Sequence, residues 1–133
     1  MNDERATSGH TRRRAKPLDR NRLEELALAY VARFATSRAK LLRYLGRKLR
    51  EAEWTDAADP RAACDAIADR MERLRYLDDR QYAAMRGAAM TRRGLGARRV
   101  RAQLFVDGID EADAGEAIDA AEGAAMASAL GFA

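Results

Sequence analysis

Cysteine is almost absent from this sequence: among 133 residues, Cys64 alone carries a thiol. A lone cysteine excludes an intramolecular disulfide framework and fits a reducing cytoplasm. Histidine is equally scarce. His10 lies in a polar N-terminal stretch, so no histidine–cysteine metal spacing is present. No nucleophile stands with a base, so the chain is not expected to be an enzyme, and no catalytic residue, metal or cofactor is expected. No apolar stretch approaches the roughly 20 residues of a membrane span. The charged N-terminus is not followed by the apolar segment of a signal peptide. A cytoplasmic monomer without a membrane role is the expectation.

Prolines number only two and aromatic residues make up 6%, whereas 47% of the chain is apolar and alanine is abundant. Alanine loses no side-chain entropy in a helix, and few prolines stand in the way of one. Runs of Val, Ile, Thr and aromatics that would announce strands are missing. The expected fold class is all-α, of a size for one domain or two small helical units sharing a core.

Charge is distributed unevenly. The net charge is +4, yet from Asp107 onward there are seven acidic residues and no Lys or Arg, leaving +11 before that point. Acids are also missing from two internal blocks, Arg33 to Arg50 and Arg80 to Val106, the second of which holds seven arginines. A charge run is often only a solvated helix face. Two acid-free blocks favour a surface built to meet something negative.

Residues 1–17 have no apolar period and are expected to be a disordered basic tail, with Arg12, Arg13 and Arg14 adding weak attraction to phosphates. A first helix starts near Asp19, with Leu23, Leu26, Ala27, Tyr30, Val31 and Phe34 on one inward face. Thr36-Ser37 supplies a turn and an N-cap for a second helix carrying Leu41, Leu45 and Leu49. Glu51 to Asp59 reads as a linker in which Trp54 covers an end of the core. Asp59-Pro60 is a helix start, followed by Ala63, Ile67, Met71 and Leu74 facing inward, with Cys64 a small packed side chain at their flank.

Asp78-Asp79 reads as helix capping and not as a catalytic pair. Asp78 with Gln81 resembles a capping box, and two acids favour the positive end of the helix dipole. Tyr82, Met85, Ala89 and Met90 form the buried stripe of that helix. Gly94-Leu95-Gly96 breaks it, and another helix runs from about Ala97 to Asp107 with Val100 and Leu104 inward. Gly108 stops that helix in left-handed conformation, with Ile109 folding back. Asp110 caps a last helix striped by Ala114, Ala117, Ile118 and Ala121.

At an offset of 59 residues the two basic blocks echo each other. Ser37, Lys40, Leu41 and Leu45 superpose on Gly96, Arg99, Val100 and Leu104, and Leu23, Leu26 and Val31 on Tyr82, Met85 and Met90. Repeated helical units stack, each covering its neighbour's apolar face.

Tyr76-Leu77-Asp78-Asp79, Tyr82-Ala83, Gly94-x-Gly96-x-x-Arg99-Val100, Leu104 and Gly108-Ile109, in that order and spacing, resemble the RecX family of bacterial recombination regulators. Ser37-x-x-Lys40-Leu41-x-x-x-Leu45 is similar to the family's first repeat. The resemblance spans roughly Leu18 to Ala121. It implies tandem three-helix repeats in an elongated, curved body, and a protein that binds the RecA recombinase and its filament on single-stranded DNA. Such a protein restrains ATP hydrolysis and strand exchange in homologous recombination, DNA repair and the SOS response. The expected division is a first repeat of two helices over 18–58, a three-helix second repeat over 59–109, and an acidic C-terminal helix over 110–133 opening a truncated or missing third repeat. The family's Lys-Gly-Ile ending is here Asp107-Gly108-Ile109, one positive charge fewer.

The expected RecA- or DNA-contacting surface is basic. Arg92, Arg93, Arg98, Arg99 and Arg101 form one part; Arg38, Lys40, Arg43, Arg47 and Lys48 form the other. Arginine suits either partner, since its planar fork bonds carboxylates and phosphates in bidentate fashion. The competing expectation is a nonspecific nucleic-acid-binding helical protein that does not act through RecA. Gln103 is the one amide of the second basic helix, too little for base-edge reading.

Overall fold

A computed structural model of the chain describes residues 16–131. Two three-residue strands and six helices follow in the order β1 (Lys16–Leu18), α1 (Arg20–Arg33), α2 (Arg38–Arg50), β2 (Ala52–Trp54), α3 (Pro60–Arg73), α4 (Asp79–Arg92), α5 (Ala97–Val106) and α6 (Glu111–Ala129). The expected disordered tail, with His10 and Arg12 to Arg14, lies outside the described residues apart from Lys16 and Pro17. With Leu18 those two form β1, and not a disordered end, pairing in parallel with β2 so that Leu18 lies opposite Trp54. The stretch read as a plain linker therefore carries a strand. Its pairing buries Leu18 and lays Trp54 against the first core, where the indole N–H donates to the Ala58 carbonyl at 2.7 Å.

Helix starts follow side-chain caps. The carboxylates of Asp19, Asp59, Asp78 and Asp110 and the Ser37 hydroxyl each accept from the backbone N–H three residues on, satisfying a donor the helix leaves unpaired. Proline occupies the first turn of α3, where its missing N–H costs nothing. At the other ends, Gly94 and Gly108 turn the chain with φ of 86° and 80°.

The helices bury two cores. One joins α1, α2 and α3 through Leu23, Ala27, Leu41, Leu45, Ile67 and Met71; the other joins α4, α5 and α6 through Tyr82, Ala83, Val100, Leu104, Ala117 and Ile118. Helix α3 thus covers the apolar faces of α1 and α2. In the second unit α4 and α6 approach closely: a Cβ added at Gly87 would sit 3.4 Å from both Ala117 Cβ and Val100 Cγ1. Because α6 presents alanines, it takes the small-residue face of α4. Met85 is consequently turned outward and 45% exposed, not part of the buried stripe. Phe34 and Leu74 are also exposed, because both follow the last helical residue as C-caps and leave the inward register.

The N-terminus of α2 joins the units. Ser37 is fully buried, and its hydroxyl donates to the Asp107 carbonyl at 2.6 Å. The Asp79 carboxylate accepts from the Arg38 N–H at 2.8 Å. Asp79 therefore caps a helix of the other unit, while burial pushes its carboxyl above the ordinary range and the Arg38 N–H pulls the other way. Ala39 of α2 lies against Gly108, leaving no room for a Cβ there. Gly108→Ala combines a left-handed backbone with this overlap, and should cost about 3 kcal/mol, measured by urea unfolding.

Candidate functional site

The arginine segment occupies the α4–α5 corner. Arg92 ends α4 and Arg93 caps it, where cations complement the negative end of the helix. Leu95 folds back with its N–H donating to the Met90 carbonyl at 3.0 Å. Helix α5 then starts at Gly96 without a side-chain cap, and its first turn carries Arg98 and Arg99. Cations beside uncapped N–H groups oppose the helix dipole. Helix α5 thus breaks the usual charge preference at its start without a local compensation.

Arg92, Arg93, Arg98 and Arg99 are all exposed. None makes an ion pair or side-chain hydrogen bond among the described residues. Arg101 is half-exposed and lies 3.7 Å from Glu111, a surface pair of little strength. Between α4 and α5 runs a hollow of ≈ 260 Å³ walled by Arg86, Arg93, Arg99 and Gln103 over Met90 and Leu95. Three guanidinium groups thus border one concave surface.

Asp107 organises the floor beneath it. The carboxylate is 4% exposed, accepts from the Tyr82 hydroxyl at 2.7 Å and from Gln103 Nε2 at 3.0 Å, and lies 3.7 Å from Arg86 Nε. Asp107 therefore takes no charge from the exposed arginines. It orients Arg86 and Gln103 instead. The loss of charge expected from the sequence falls inside the protein.

The first basic set is placed differently from the second. Arg38 is held between Asp69 at 2.8 Å and Glu72 at 3.0 Å on α3, so its charge is neutralised within the first unit. Lys40 Nζ lies 5.7 Å from the Tyr82 ring and 3.5 Å from its hydroxyl. Arg43 crosses to the second unit and donates to the Val106 carbonyl at 3.2 Å, the C-terminal end of α5. Arg47 and Lys48 sit over the Tyr44 ring, with Lys48 also 3.7 Å from Glu51. Arg43 approaches the second basic set through Val106, which borders the arginine hollow. Arg38 faces α3, and Arg47 and Lys48 face an aromatic surface.

Phe105 was missed as a surface feature. It is 81% exposed, on the helix face that follows Arg98 and Arg101 at helical spacing. Its signal in the sequence is faint: a lone ring next to the inward Leu104.

Burial, then the hydrogen bond to Asp107, pushes the Tyr82 phenol up from 10.0 to about 12. A phenol raised in the folded state contributes stability that is complete below the unfolded pKa and disappears as pH rises through the folded one. The chain should lose stability between pH 10 and 12, and Tyr82→Phe should remove that step in urea titrations at each pH.

No family model, curated protein or solved structure matches the chain.

Proposed function

We propose that this chain is a regulator of the RecA recombinase, which binds the RecA filament on single-stranded DNA and restrains its ATPase and strand exchange. The observation that carries the proposal is the exposed arginine face of α4 and α5, set inside the Tyr76–Ile109 motif that resembles the RecX family. Arg92, Arg93, Arg98 and Arg99 lack internal partners among the described residues, so their charge is available to carboxylates or phosphates. Single-stranded DNA takes part through or beside RecA.

A tandem-repeat body belongs to the same proposal. Supporting it, Leu23 and Tyr82, Leu41 and Val100, and Leu45 and Leu104 are buried as pairs at the 59-residue offset. Leu26 and Met85 break that agreement, because the two third helices present different faces. Read this way, the repeats are α1–α3 and α4–α6, stacked in an elongated, curved molecule whose basic surfaces recur along a partner that also repeats. This division differs from the 18–58, 59–109 and 110–133 expected from the sequence, because α3 shares the first core and α6 the second. The other reading, a nonspecific nucleic-acid binder, rests on the same arginines and differs in needing no RecA.

Titrating the protein into RecA on single-stranded DNA while following ATP hydrolysis separates the two. Loss of ATPase below equimolar protein, with weak binding to DNA alone, is the expected result; tight DNA binding with an unchanged ATPase would sink the RecA reading. The triple reversal Arg98→Glu, Arg99→Glu and Arg101→Glu should raise the half-inhibiting concentration by roughly tenfold or more without changing helical content.

A further inference from the structure

Away from the arginine face, the rarest side chains of the sequence gather on one surface. The chain has three Phe, four Tyr and one Trp, and five of these eight rings line two adjoining hollows of ≈ 360 and ≈ 350 Å³. Phe34 borders both hollows and so joins them. On one side, Tyr30 and Tyr44 stack with ring centroids 4.2 Å apart, and Phe34 tilts against Tyr30 at 5.2 Å. On the other side stands Tyr76. Phe34 and Tyr76 are 49% and 55% exposed, a large solvent-facing ring area for a chain so short of aromatics.

Cations alternate with these rings. The Arg33 guanidinium lies 5.5 Å from the Phe34 centroid, and Arg47 lies 5.4 Å from that of Tyr44. Arg75 precedes Tyr76 and holds φ at 70°, a conformation that favours glycine; an arginine kept there costs stability. Asp78 is the one carboxylate on either wall among the described residues; it caps α4 by accepting from the Gln81 N–H and lies 3.9 Å from the Arg75 guanidinium, a pair between exposed groups that a phosphate can replace. Thr36 lines the second hollow with a buried hydroxyl that has no hydrogen-bond partner.

Flat rings interleaved with positive charge match one chemistry better than others. An acidic peptide would use the cations and leave the rings idle; a duplex hides its base faces in its own stack. An unpaired strand offers both faces and phosphates. We infer that this strip is a binding site for single-stranded nucleic acid, in which Phe34 and Tyr76 stack on unpaired bases while Arg33, Arg47 and Arg75 hold the neighbouring phosphates. The site lies apart from the α4–α5 arginines, shares Arg47 with the first basic set, and works without RecA, so binding to an oligonucleotide alone tests it separately from the ATPase test of the proposed regulation.

Fluorescence anisotropy of a labelled oligothymidylate, titrated with the full chain over a salt series, tests this. Phe34→Ala and Tyr76→Ala should each weaken binding roughly 5- to 150-fold with the salt slope unchanged. Arg47→Gln should reduce the slope of log K against log salt by about 0.7. An abasic strand of equal length loses both stacking contacts and should bind the parent more weakly than oligothymidylate binds Phe34→Ala, and Phe34→Trp should retain the parent's binding. Circular dichroism checks that each variant is folded, and Tyr76→Ala provides the reading if Phe34→Ala is not. Equal affinity for abasic and normal strands, preference for duplex, or unchanged binding by the folded ring variants would overturn the inference. So would an absence of binding by the parent chain, or a preference for acidic peptide over oligothymidylate.

Discussion

The fold turns on how the first turn of α2 is satisfied. A helix N-terminus buried between two units brings unpaired N–H groups and a positive dipole end into a place with little water, and each needs a partner. Ser37 supplies one internally by accepting from the Lys40 N–H. The second unit supplies two further contacts: the Asp79 carboxylate accepts from the Arg38 N–H, and the Asp107 carbonyl accepts from the Ser37 hydroxyl. The start of α2 therefore meets the end of α5, opposite dipole ends together, and the gap is closed by Gly108 against Ala39. Because the partners lie in different units, neither unit can satisfy them alone.

That joint also governs charge. It brings Arg43 to the C-terminal carbonyl of α5 and Lys40 to Tyr82, so cations of the first block are used at the boundary. Helix α6 accounts for others, with Glu116 at 2.7 Å from Arg80 and Glu111 at 3.7 Å from Arg101. Within the second unit, Arg92, Arg93, Arg98 and Arg99 at the α4–α5 corner keep no ion pair among the described residues. The acidic C-terminal stretch and the arginine block are thus two halves of one arrangement, in which internal pairing leaves a positive surface within the Tyr76–Ile109 segment.

Much of this was legible in the sequence wherever the interaction is local. Asp59-Pro60, Asp78 with Gln81, Ser37 and Asp110 mark helix starts because a cap and its target lie three residues apart. Leu41, Leu45, Val100 and Leu104 are inward because helical period alone sets their face. Legibility ended where partners are distant. Asp79 reads as an acid helping its own helix, but its target is 41 residues earlier. Arg38 reads as a surface cation, yet Asp69 and Glu72 on α3 hold it. Met85 follows the inward period and is still exposed, since the choice of face was made by the alanines of α6. The short β1–β2 pair gave no periodic signal, being three residues on each side. The aromatic strip was hidden for a similar reason: Tyr30 and Phe34 fit a core stripe until α1 ends at Arg33 and releases the Phe34 ring.

Scanning calorimetry of the chain beside a Ser37→Ala, Asp79→Ala variant tests the joint most directly. If the two units depend on the α2 N-terminus, the parent unfolds in one transition whose calorimetric and van't Hoff enthalpies agree. The variant then unfolds in two transitions, the first at a lower temperature. A variant that melts in a single transition at the parent's midpoint would contradict the account.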